Sequence, residues 1–234
     1  MKHLIDSLHQ HMSSLSDLSA QNISELLSHN TNQWIASVLR ISGSNLSRSK
    51  IIAMACGENI REATINDYQM MEICRSLLAE FEYMIGFDSL LDIKIITRLH
   101  QILTEAQDPS PYRNRNLFVD EMVYPAPGPA RIPALMRTCE LEISSEEHQH
   151  NKLMGAIRTH DMLMSIWPFP EKSDVLAYIC MSYELLKAGY LLPSLDITRE
   201  DHLKLSAEFT DKGSSKAFTE ILINSLIEEI TPYI

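Results

Sequence analysis

No two cysteines of this chain form a CxxC pair. Cys56, Cys74, Cys139 and Cys180 lie far apart, and three of them stand among apolar neighbours at helical spacing. That is the pattern of reduced, buried thiols, and it argues against a disulfide framework or a zinc site. Basic residues are also scarce: 20 Lys and Arg face 31 Asp and Glu, a formal net charge of −11, and the cations do not cluster. A nucleic-acid backbone finds no electrostatic footprint, so nucleic acid is excluded from the expected partners. Long apolar runs are missing too. The opening MKHLIDSLHQH lacks the continuous apolar stretch of a signal peptide, and no later segment reaches bilayer-spanning length. The expectation is a cytoplasmic protein with no membrane contact. There is no G-x-S-x-G, no P-loop and no H-E-x-x-H, so the common hydrolase, nucleotide-triphosphatase and metalloprotease signatures are absent.

What is present is helical periodicity. With 234 residues the chain can bury one sizeable core, and apolar residues recur at three- and four-residue spacing almost throughout. Leu4, Ile5, Leu8, Met12 and Leu15 predict a first helix. Ile23, Leu26 and Leu27 predict a short second one, and Trp34, Ile35, Val38 and Leu39 continue the pattern. A longer helix is expected at about 66–86, opened by a capping box between Thr64 and Asp67, and another carries Ile93, Ile96, Leu99 and Leu103. Between Asp108 and Pro133 lie six of the ten prolines and a short β-like run at Leu117, Phe118 and Val119; this is the one clear non-helical excursion. Helices then resume at about 134–143, 147–166 and 173–188, with Gly189 suited to a left-handed C-terminal position. Two more are opened by Thr198 and by Ser214 or Ser215 as N-caps. The fold class is all-α, about nine helices, with residues 1–60 a helical lead-in packed on a core at 61–234.

The segment from Thr159 to Tyr190 carries the most specific signal. Residues 167–175 read WPFPEKSDV, and the helix after them ends in LLKAGY. This stretch resembles, without a gap, the central segment of the Fic (Fido) family, whose motif is HPFx[D/E]GN[G/K]R followed by a pattern like LLLLRAGYPP. Pro168, Phe169, Glu171 and the closing Lys187, Ala188, Gly189 and Tyr190 match. Trp167, Lys172, Ser173, Asp174 and Val175 stand where the motif has His, Gly, Asn, Gly/Lys and Arg. The proline-rich excursion is similar to the family's flap, a small β-hairpin at about 108–133, through Tyr112-Arg113, Leu117-Phe118-Val119 and Tyr124-Pro125. The C-terminal helical pair is similar as well, so the resemblance covers nearly the whole chain.

The resemblance implies a Fic-type helical bundle and kinship with protein adenylyltransferases, which move AMP from ATP to a target hydroxyl. In the family the motif His takes the proton from that hydroxyl. Trp167 cannot, because an indole N–H only donates, and losing a positioned base costs about 10²–10⁴ in rate. Val175 replaces the Arg that neutralises developing charge. Glu171 keeps the acidic place that helps hold Mg²⁺ on the nucleotide, with a solvated loop carboxylate as its plainer role. Phe169, Lys172, Ser173 and Asp174 are then a vestigial nucleotide site, Phe169 and Ile166 also reading as core anchors and Ser173 as an N-cap. The inhibitory [S/T]xxxE[G/N] motif of one family branch is missing, since 42–49 contains no Glu. His160 reads as a hydrogen-bonded core residue, and His148 and His150 as a solvated helix start.

Two functions follow. One is a catalytically silent protein with no cofactor that binds another, unidentified protein, in part by strand addition to the flap at Arg113, Leu117, Phe118 and Val119. The other is a divergent transferase that still takes Mg²⁺ and ATP, or another phosphate donor, through Glu171, Lys172 and the helix N-terminus. An architectural subunit that pairs with a copy of itself is a third.

Overall fold

The computed structural model describes residues 1–107, 111–117, 126–212 and 215–234. These residues hold eleven α-helices and three short 3₁₀ turns, with no strand among them. The all-α expectation is met, but the number of helices exceeds nine, and the expected β-hairpin flap is not seen: Phe118 and Val119 lie outside the described residues, and 111–117 and 126–128 form no ladder.

α1 (Lys2–Ser14) lies on the last helix, α11 (Lys216–Ile230). α2 (Ala20–Ile41) opens at Ser19, whose hydroxyl accepts from the Asn22 N–H at 3.2 Å. The short second helix and the pattern after it are thus one 22-residue element. No Gly or Pro interrupts it, and Leu26, Asn30 and Trp34 step down one buried face at four-residue spacing. Asn30 is buried because its amide closes two bonds with the Leu192 backbone, at 2.9 and 3.0 Å. α3 (Arg48–Ala55) follows. α4 (Ile65–Gly86) begins with the predicted reciprocal capping box of Thr64 and Asp67. α5 (Ile93–Thr104) is capped by Asp92, which accepts from the Ile95 N–H at 2.7 Å.

The second half departs from expectation at two places. The predicted helix at 147–166 is broken into α7 (Glu146–His150) and α8 (Lys152–Ile166) by Asn151, which has φ −111° and ψ 70° and caps α8. The break folds His148 back over α8, so that it is buried instead of solvated, with Nε2 2.8 Å from Glu184. Gly155 makes this approach feasible, since a Cβ there would stand 2.8 Å from the His148 ring. The second departure is Ser215. It stands at the N-cap of α11 as expected, but its side chain makes no cap bond; its hydroxyl donates to the Asp161 carboxylate. α6 (Ile132–Ile143) and α10 (Arg199–Lys212) complete the set, the latter opened as predicted by Thr198 and Asp201 bonding each other's backbone N–H at 3.1 and 3.2 Å.

α9 (Ser173–Lys187) is the centre of the protein. Every residue from Ser173 to Tyr183 is buried, the mark of a helix enclosed on all sides, and it packs against α8, α5 and α2. Two of its polar groups are satisfied inside: Ser182 Oγ accepts from Trp34 Nε1 at 3.0 Å, and the Tyr178 hydroxyl donates to the Pro193 carbonyl. It ends at Gly189, φ +87°, as the sequence predicts. Cys74, Cys139 and Cys180 are buried free thiols and Cys56 is exposed. Burial pushes the Cys139 thiol up to about 12. Among the described residues no helix is long and apolar enough to cross a membrane. The central position of α9 makes its N-terminus, and the loop 167–172 that leads into it, the most rigidly framed part of the surface.

Candidate functional site

The loop starts and ends in left-handed backbone. Trp167 closes α8 at φ +48°, its N–H bonded to the Leu163 carbonyl at 2.9 Å, and Lys172 opens α9 at φ +54°. Residues with side chains are strained there by about 1 kcal/mol, where Gly is not. Lys172 thus carries a side chain in a conformation that favours Gly.

Arg113 holds the loop from one side. Buried to 3% exposure, it donates from Nε to the Trp167 carbonyl at 2.7 Å and from its two terminal nitrogens to the carbonyls of Ile166, Arg115 and Pro127. Its backbone N–H reaches the Pro168 carbonyl at 2.9 Å. The guanidinium fork thus ties together both flanks of the 118–125 segment and the start of the loop.

α5 holds the loop from the other side. The His100 ring stacks on Phe169 with centroids 4.0 Å apart and 12° between planes, and its Nε2 lies 3.0 Å from the Glu171 carbonyl, to which it donates. Burial pulls the His100 pKa down. Lys172 Nζ donates to the Leu103 carbonyl at 3.0 Å, in the last turn of α5 where a cation is favoured, although burial lowers its pKa too. Nothing in the spacing of His100 or Arg113 marks these roles.

The side chains named from the motif separate into two sets. Trp167, Phe169, Ser173, Asp174 and Val175 are buried, at 2, 0, 0, 1 and 2% exposure. Glu171 is exposed and Lys172 is half-buried. Ser173 lies just inside α9 instead of capping it, and its hydroxyl accepts from the Phe169 N–H at 3.0 Å and donates to the Phe169 carbonyl at 3.2 Å. Asp174 sits in the first turn of α9, where the helix dipole favours an anion. Its Oδ2 is 2.7 Å from Arg199 Nε, and its Oδ1 has no partner among the described residues. Arg199 is the first residue of α10.

Over the loop opens a cavity of about 300 Å³, walled by Leu117, Trp167, Glu171, Lys172, Asp174 and Arg199. Ser42 and Lys172 also border a neighbouring groove of about 630 Å³ that runs along the α2–α3 connection and the start of α4. There Ser44 donates to Asp67 at 2.6 Å. Among the described residues no three His, Cys, Asp or Glu side chains are placed to hold a metal ion. The cavity has the exposed carboxylate of Glu171 and the cations of Lys172 and Arg199, the latter paired with the buried carboxylate of Asp174, and the Trp167 indole can only donate.

A separate buried polar network lies between α8, α10 and α11. His160 Nδ1 faces Asp161 at 3.1 Å, its Nε2 faces His202 Nε2 at 2.8 Å, and its ring stacks on Phe218 at 4.3 Å. His160 is the hydrogen-bonded core residue the sequence predicts. His202 and Ser215, its remote companions, have no sequence signal.

No family model matches the sequence, and no curated protein matches it. Solved structures do. A Fic domain containing signaling protein from Bacteroides thetaiotaomicron aligns over 99% of both chains at 17% identity with a TM-score of 0.79. Fic-1 from C. elegans aligns over 99% of this chain and 71% of its own at 15% identity, TM-score 0.77. A Fic family protein from Desulfovibrio desulfuricans covers 98% of this chain and 72% of its own at 17% identity, TM-score 0.68. The chain has the fold of Fic domain proteins.

Proposed function

We propose that this Fic-fold protein performs no AMP transfer and acts by binding or regulating another protein. The observation that carries the reading is at the start of α9, where Asp174 already occupies the anion-favouring helix end and is paired with Arg199 at 2.7 Å. An incoming phosphate meets a resident carboxylate whose Oδ1 is unpartnered, in a place where backbone N–H groups otherwise receive anions. Trp167 has only a donor and is 2% exposed. A Mg²⁺–nucleotide fits these residues poorly: Glu171 is a single exposed carboxylate, and Asp174 is committed to Arg199.

The proposed partner is a protein that adds a strand to the flap at about 108–133, where Arg113 bonds the Arg115 and Pro127 carbonyls. The reading is tested by incubating the protein with labelled ATP and Mg²⁺, alone and with cell lysate. No label enters protein; incorporation above a no-protein control overturns it.

One feature favours the second reading, a divergent phosphate-donor transferase. Lys172 and Arg199 both border the cavity, and two cations there suit an anion. Thermal-shift titration with Mg²⁺ and a nucleotide panel separates the two, since a donor site requires that some nucleotide raise the melting temperature.

A further inference from the structure

A second groove, of about 500 Å³, shares no wall with the cavity over the loop. It lies between α2, the connection 194–197 and α11, and its chemistry differs. Its floor is Glu229, whose side chain is 8% exposed. One carboxylate oxygen, Oε1, accepts from the Ser194 hydroxyl, while Oε2 has no hydrogen-bond partner among the described residues. Buried carboxylate oxygens are ordinarily paired, because an unpaired one forfeits its hydration without return.

The neighbouring cations cannot supply the missing donor. Arg48 Nε donates to Gln33 Oε1 at 2.7 Å, and its Nη1 turns to Ser37 Oγ at 3.4 Å. That contact fixes which end of the Gln33 amide is oxygen, so the amide nitrogen faces His29 Nε2, 3.1 Å away. An amide nitrogen only donates. His29 Nε2 is therefore the acceptor of that bond and has no proton to give Glu229, from which it stands 3.9 Å, beyond hydrogen-bond length. The bonds from Arg48 to Gln33 and from Gln33 to His29 are directed away from Glu229, and no donor of the described residues reaches Oε2. Glu228 and Asp196 also border the groove and add negative charge.

We infer that this groove binds a small ligand through a primary ammonium seated on Glu229 Oε2. A single free oxygen matches a compact ammonium, whereas a guanidinium calls for both carboxylate oxygens, and Ser194 holds one. Leu195, Ile197 and Ile221 line the groove and give an aliphatic stem an apolar wall to lie on. The ligand class is an alkylamine or diamine.

The test uses the full chain, 1,4-diaminobutane as probe, 1,4-diguanidinobutane, which has the same stem and charge but no amine, as its guanidinium counterpart, and sodium chloride at matched ionic strength. In thermal shift and calorimetric titration the diamine raises the melting temperature by several degrees and binds with saturable heat, at least tenfold tighter than the diguanidine. Glu229→Gln, which keeps an oxygen for Ser194 but turns an amide N–H₂ toward the ligand, abolishes both effects; Glu228→Gln retains them. Should Glu229→Gln fail to fold, Asn224→Trp, on the exposed rim, fills the groove and removes binding. No response in the unaltered protein overturns the inference. So does an equal response in Glu229→Gln or in the salt control, which reduces it to screening of an acidic chain.

Discussion

Asp174 and Arg199, 25 positions apart, meet at 2.7 Å across the mouth of the cavity, the carboxylate 1% and the guanidinium 39% exposed. The two ends of the pair are unequal: Arg199 keeps water, and Asp174 keeps none.

Removing the exposed partner therefore costs more than the pair itself is worth. Arg199→Ala leaves a buried charge uncompensated and is expected to lower stability by about 1–3 kcal/mol, below the full buried-pair penalty because the site is partly solvated. Asp174→Asn in the same background restores most of that loss. Urea denaturation of the two single variants and the double variant checks this, and an additive result contradicts the coupling.

Trp167→His puts an imidazole at the motif's base position but leaves Val175, Lys172 and Asp174 unchanged. Labelled-ATP incorporation is expected to stay at background. The variant also vacates space in a 2% exposed site, for a stability loss of about 2–4 kcal/mol.

Arg113 bonds four carbonyls through one planar fork. Arg113→Lys is expected to lose about 2 kcal/mol or more, because a single ammonium cannot reach the same set and unpaired carbonyls remain. Hydrogen exchange at the backbone of 166–169 speeds up in the variant; unchanged exchange there contradicts the clamp.

Stability should fall on acidification through the range where free histidine titrates. Burial, then the positive fields of His160 and Arg199, push the His202 pKa well below its usual value of about 6.5, and burial does the same to His100. Asp161 faces His160 from the other side. Below pH about 6.5 the unfolded chain binds protons that folded His202 and His100 do not, so unfolding gains; above it neither state binds them and the contribution is constant. The urea midpoint is expected to be level from pH 8 to 7 and to drop toward pH 5, with a smaller drop in His202→Gln.

Local features were legible in the sequence wherever one turn of helix carries the whole signal. Thr64 and Asp67, Thr198 and Asp201, and Gly189 were all readable, because a cap is a relation across three or four residues. The break at Asn151 was not. Its cause is the packing of His148 on Gly155 and its bond to Glu184, and periodicity runs unbroken through both halves. The same applies to α2, where the sequence pattern pauses but the buried face continues onto α9 and Leu192.

By itself the sequence determined the helices, most of their ends, and the resemblance of 159–190 to a Fic segment without its His and Arg. Only the tertiary structure decided which polar groups meet: Arg113 with the carbonyls of 166–168, Asp174 with Arg199, His160 with His202, Glu229 with Ser194. These contacts join residues from 25 to 55 positions apart, a separation at which no local spacing rule operates. They exist because burying α9 on all sides forces each polar group near it to find a partner inside. The exceptions among the carboxylates are one oxygen each of Asp174, Glu184 and Glu229, which have no hydrogen-bond partner among the described residues.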